Sequence, residues 1–101
     1  MRFVVYAIDK PGALSRRLTT LAAHRAYLDE GPARHGVQVL LSGPLTEDDG
    51  ETMRGSFFLL EAEARSNIEA MFAEDPLQAA DVWGELHVSG VTVRQNTWMT
   101  A

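Results

Sequence analysis

Apolar residues crowd the start of the chain. Arg2 to Ile8 (Arg-Phe-Val-Val-Tyr-Ala-Ile) is β-branched, aromatic and nearly continuous, the pattern of a central strand. Asp9-Lys10-Pro11-Gly12 interrupts it as a loop. The period then changes. Leu14, Leu18, Leu21, Arg25 and Leu28 recur at three- and four-residue steps, which predicts a helix from about Ala13 to Glu30, stopped by Gly31-Pro32. Gly36 to Gly43 predicts a second strand, and Thr46 to Glu51, with Asp49-Gly50 inside it, a polar turn. Met53 to Glu61 predicts a third strand built around Phe57, Phe58, Leu59 and Leu60. Ile68, Met71 and Phe72 mark the buried stripe of a second helix over about Glu63 to Glu74. Asp75-Pro76 opens a short helical turn through about Val82. Glu85 to Trp98 predicts a long last strand whose alternation slips at Ser89-Gly90, the sign of a bulge.

The order β-α-β-β-α-β, with a short extra helix before the last strand, predicts an α+β ferredoxin-like fold. Its four-stranded antiparallel sheet carries both helices on one face. Residues 1–101 are expected to form one domain. No helix remains to cover the other sheet face, yet the first and third strands are apolar on both faces. A homodimer packed through that open face is the simplest expectation.

Composition narrows the function classes. The 101 residues are 46% apolar and 23% charged, an ordinary globular balance. The absence of cysteine removes disulfides, thiolate zinc sites and cysteine nucleophiles. The net charge of −5 disfavours a nucleic-acid partner. No apolar run approaches membrane-span length, and Met1 to Tyr6 enters a strand with no leader pattern, so a cytoplasmic location is expected. The three histidines have no metal-ligand spacing and the glycines form no phosphate or dinucleotide loop, so neither metal nor cofactor is expected.

His24 and Asp75 are the one plausible acid/base couple. His24 lies at the edge of the first helix's apolar stripe, with Arg17, Thr20 and Tyr27 on the same flank. It reads either as a proton-transfer group at a pocket rim or as a border histidine satisfied locally. Asp75 before Pro76 reads as a helix cap, and a capping carboxylate can also orient an imidazole. Ser42-Gly43-Pro44 reads as a plain strand exit or as a point of close backbone approach. Gly55-Ser56 opens the third strand, where Gly implies a bulge or close contact, and Ser56 lacks a nucleophile's context. Trp83 and Trp98 read as packing or dimer contacts. Arg54 and Arg94 read as surface charge or as holders of a ligand carboxylate.

Phe3-Val4-Val5, Ala23-His24-Arg25-Ala26-Tyr27-Leu28, Leu41-Ser42-Gly43-Pro44, Gly55-Ser56 and Glu74-Asp75-Pro76, in this order and spacing, resemble the YCII-related family. The resemblance implies a dimeric ferredoxin-like α/β barrel with two sheets face to face. It implies a site pairing His24 with Asp75 and puts Ser42, Gly43, Pro44 and Ser56 forward as substrate contacts. It also implies proton-transfer chemistry of the lyase, isomerase or dehalogenase kind on a small organic acid or lactone. Ala79-Ala80-Asp81-Val82-Trp83 departs from the family's usual Ala-Gly-Leu-type stretch, which puts the substrate in doubt. The competing expectation is a non-catalytic dimeric module that binds a small ligand or a protein.

Overall fold

A computed structural model of the chain describes residues 1–98. Residues 99–101 of the expected 1–101 domain lie outside the described ones. The elements are β1 (Arg2–Ile8), α1 (Leu14–Arg34), β2 (Gln38–Thr46), β3 (Met53–Glu61), α2 (Arg65–Ala73), α3 (Pro76–Ala79) and β4 (His87–Gly90). The strands form one antiparallel sheet in the order β2-β3-β1-β4, the expected α+β ferredoxin-like arrangement. No helix among the described residues is long and apolar enough to cross a membrane.

Alternation sets the layers. Phe3, Val5 and Ala7 of β1 are buried and stand opposite Leu60, Phe58 and Ser56 of β3. With Ile68, Met71 and Phe72 of α2, and with Leu77, Val82 and Trp83 after it, they make the core under the helices. Tyr6 and Ile8 project to the other face and stay exposed, Tyr6 stacked on His87 with ring centroids 4.7 Å apart.

Three expectations about the elements need correction. First, α1 runs through Gly31-Pro32 to Arg34. The stop signal is Gly36, which takes φ 70° while Gly36 N donates to Ala33 O and Val37 N to Pro32 O, a Schellman closure. Gly31 and Pro32 are buried, and that packing outweighs the weak helix propensity of the pair. Second, β2 extends to Thr46, so Ser42-Gly43-Pro44 lies inside an edge strand, where Pro is tolerated because its missing N–H costs no ladder bond. The turn that follows is closed by Asp49. Its carboxylate accepts from the Thr52 hydroxyl and from the Glu51 and Thr52 N–H groups, which hold its pKa below the usual carboxylate range. Third, β4 ends at Gly90 and shows no bulge against β1. Gly90 already faces Phe3 and Val91 N donates to Arg2 O, so β1 offers no further partner.

Gly31 supplies a packing test. A Cβ there would clash with the Tyr27 ring, whose hydroxyl donates to Met71 O at 2.6 Å. Gly31→Ala therefore displaces Tyr27 and breaks that tie between α1 and α2. The expected net loss is about 1–2 kcal/mol: overpacking costs more than the alanine's better helix propensity returns. Urea unfolding reads it, and a gain in stability would show that Tyr27 is free to move.

Candidate active site

The buried line of α1 is polar. Leu14 and Leu18 of the expected apolar stripe are exposed, and the helix instead buries Arg17, His24, Gly31 and Pro32. A buried Arg and His are stable only if their polar atoms find partners, and each does.

His24 meets Asp75 across 51 residues of sequence, its Nδ1 standing 2.8 Å from Oδ1 and 2.9 Å from Oδ2. Asp75 is 0% exposed and His24 7%. Asp75 is also the N-cap of α3, its Oδ1 accepting from Leu77 N at 2.8 Å, so cap and imidazole partner are the same carboxylate. A carboxylate only accepts, so the proton of the His24–Asp75 bond is on Nδ1. The ring's basic lone pair is then on Nε2. Phe58 and Trp83 meet the imidazole edge to face, with centroids 6.3 and 6.0 Å away, which fixes its plane.

His24 opens on a cavity of about 270 Å³ between α1 and strands β2 and β3. Ser56 and Phe58 line it from β3, while Ser42, Gly43 and Pro44 line it from β2. Leu21, Arg25 and Leu28 bound it along α1. The structure thus brings His24 and the four expected contact residues to one cavity, with Asp75 behind the imidazole. Gly55, just before Ser56, allows the close approach its position implied: a Cβ there would strike the Ala7 carbonyl oxygen. Arg54 and Arg94 stand outside this cavity.

A second buried cluster adjoins the first. Arg17, 1% exposed, donates to Asp9 through Nε at 2.7 Å and Nη2 at 3.0 Å, and through Nη2 to Ser56 Oγ at 2.7 Å. Trp83 Nε1 donates to the same Ser56 Oγ at 3.0 Å. Asp9, just after β1, and Trp83 also pair as an isolated bridge. Sequence reasoning missed Asp9 and gave Arg17 and Trp83 no role here. The available signal was Arg17 seven residues before His24, on the same helical flank.

Other nearby groups are committed to structure. Burial, aided by the charges of Glu74 and Asp75, raises the Tyr27 hydroxyl's pKa, so it stays a donor to Met71. Lys10 pairs with Asp81 and lowers that carboxyl's pKa. Arg16 holds the carbonyls of Ala80 and Asp81, fixing the turn that leads to Trp83.

Comparison with known proteins identifies the family and the fold. No curated protein matches the chain. Among solved structures it is similar to 5-chloro-2-hydroxyhydroquinone dehydrochlorinase (TftG) of Burkholderia phenoliruptrix AC1100, solved in complex with 2,5-dihydroxybenzoquinone. The identity is 31%, the TM-score 0.78, and the match covers 91% of this chain and 94% of that one. A protein provisionally named an antibiotic biosynthesis monooxygenase, from Bacteriodes thetaiotaomicron, shares the fold at 14% identity and TM-score 0.55, covering 99% of this chain and 95% of that one. The family model for the YCII-related domain matches residues 1–92. The chain belongs to the YCII-related family.

Proposed function

We propose that the protein is an acid/base enzyme acting on a small organic molecule by elimination or isomerisation, with His24 as general base and Asp75 as its orienting partner. The observation that carries this is the His24–Asp75 contact at the cavity. Nδ1 is bound to a fully buried carboxylate, which leaves Nε2 as the ring's basic atom. In an elimination, Nε2 takes a substrate proton, the electron pair of the broken bond forms the new double bond, and the leaving group departs as an anion. Asp75 stabilises the imidazolium and sets its tautomer. The dehydrochlorinase activity of the relative at 31% identity supports this class. The cavity is near the small end of ligand sites, below roughly 300 Å³, and above the roughly 150 Å³ that holds benzene, so it suits one substituted ring. Ser42, Gly43, Pro44 and Ser56 are the proposed contacts of that ligand.

The test is turnover of a panel of small hydroxylated and halogenated rings, acids and lactones, starting with 5-chloro-2-hydroxyhydroquinone. His24→Gln is expected to lower kcat by about a hundredfold or more, the usual worth of a general base. Unchanged turnover in that variant would remove His24 from the chemistry.

The sheet face away from the helices buries Leu59 but leaves Tyr6 and Ile8 exposed beside the half-buried Val4, and a second copy of the chain is the proposed cover for that exposed part. A dimer mass by light scattering at micromolar concentration is expected, and a monomer would refute this assembly.

A further inference from the structure

Ser56 lies in the cavity wall, 3% exposed, and its hydroxyl oxygen is engaged twice. Arg17 Nη2 donates to Oγ at 2.7 Å and Trp83 Nε1 donates to it at 3.0 Å. A serine hydroxyl has two lone pairs and one proton. Both lone pairs are used, so the one polar function left is the O–H proton. Among the described residues, nothing accepts that proton. A nucleophilic serine needs the opposite arrangement: a base accepting its proton and a lone pair free to attack. Ser56 has neither.

We propose that Ser56 is a preset hydrogen-bond donor to a substrate oxygen that gains negative charge as His24 removes the proton. This rests on the acid/base reading above and narrows its substrate class. The ligand is a small ring whose deprotonated position is conjugated to a carbonyl, enol or phenol oxygen. When the proton passes to Nε2, the electron pair of the broken bond delocalises onto that oxygen, and Ser56 O–H holds the oxyanion without giving up its own proton. A donor fixed in advance costs no reorganisation when the charge appears. Arg17 and Trp83 act through Ser56 and are positioning residues. Their N–H groups fix the direction of the hydroxyl, and the guanidinium charge polarises it, as donors in series strengthen one another. Asp9 holds the guanidinium in place by two bonds.

The experiment uses 2,5-dihydroxybenzoquinone as probe, because its conjugated ring oxygens carry negative charge and its visible absorption responds to hydrogen bonds at them. Binding is read by spectrophotometric titration of the full chain, with no turnover required. The result therefore stands apart from the His24 test: a failed general-base reading leaves turnover unchanged, whereas a failed Ser56 reading leaves the quinone's affinity and spectrum unchanged. Ser56→Ala is expected to weaken binding by about tenfold or more, the worth of one hydrogen bond to a charged acceptor, and to shift the bound absorption band toward that of the anion in an aprotic solvent. Ser56→Thr keeps the hydroxyl and is expected to keep the wild-type band. Because Ser56→Ala strands two buried donors and is liable to unfold, Trp83→Phe provides the second measurement. It frees one lone pair on Oγ, releases the hydroxyl from its fixed direction, and is expected to move the band the same way with the fold intact. A wild-type affinity and band in folded Ser56→Ala, or in Trp83→Phe, overturns the proposal.

Discussion

Asp9→Ala is expected to destabilise the fold by about 3–5 kcal/mol, the loss that follows when one partner of a buried ion pair is removed. The cause is Arg17. Its side chain is 2% exposed and Asp9 takes its charge at 2.7 and 3.0 Å. Without the carboxylate, the nearly fully buried guanidinium keeps a single neutral acceptor, Ser56. The β1 backbone is held independently, since Asp9 N donates to Arg54 O and Asp9 bridges Trp83, so the loss reports the side chain and not an unravelled strand. A fall in urea midpoint with an unchanged slope is the expected signature. The exposed Lys10–Asp81 pair makes the contrast: breaking it with Lys10→Ala is expected to change the urea midpoint far less, because solvent screens the pair. Replacing both buried partners, as in Asp9→Leu with Arg17→Met, is expected to recover much of the stability, since buried ion pairs often contribute little net energy. That double variant frees one lone pair on Ser56 Oγ and is expected to move the bound quinone's band as Trp83→Phe does. A loss below about 1 kcal/mol for Asp9→Ala would mean that Arg17 swings to water, which would also dissolve the preset state of Ser56.

The parts of the fold legible in the sequence were those where local pattern and tertiary burial agree. The continuous apolar run of β1, the Phe-Phe-Leu-Leu centre of β3 and the Ile68, Met71 and Phe72 stripe of α2 are all core in the structure. Asp75-Pro76 was readable because a cap works through its immediate neighbours. The face of α1 was not readable, for a physical reason. A hydrophobicity wheel assumes that the buried face is apolar, and here it carries Arg17 and His24. Their partners, Asp9, Ser56 and Asp75, come from three other segments. Leu14 and Leu18 therefore misled, as did Gly31-Pro32, a stop signal that tertiary burial overrides. The end of β4 depends on where β1 begins, which no window of sequence around residue 90 contains. The His24–Asp75 meeting was open on residue properties alone, and the family resemblance tipped it. The Arg17–Ser56–Trp83 cluster was signalled only in part: the resemblance put Ser56 forward, whereas Arg17 and Trp83 each have an ordinary local reading.

Asp75→Asn is expected to lower turnover by about 10²–10⁴-fold, the full worth of a general base, with folding stability changed by about 1 kcal/mol or less. The two halves of this prediction follow from one carboxylate serving two donors. Oδ1 accepts from Leu77 N at 2.8 Å, while both oxygens stand within 2.9 Å of His24 Nδ1. Asparagine has one oxygen and one NH₂. The cap at α3 needs an acceptor, so the amide oxygen stays with Leu77 N and the NH₂ turns toward Nδ1. An NH₂ only donates, so Nδ1 must become the lone-pair atom and the ring proton moves to Nε2. Every hydrogen bond survives, which is why the fold survives. The nitrogen at the cavity now carries a proton and has no lone pair with which to take one from a substrate. Ring ¹⁵N shifts of His24 test the tautomer without any substrate: the wild type is expected to show a protonated Nδ1 and a basic Nε2, and Asp75→Asn the reverse. Because His24→Gln and Asp75→Asn disable the same group, the double variant is expected to be no slower than the slower single one. Additive losses would mean that Asp75 acts on the substrate by a route other than the imidazole.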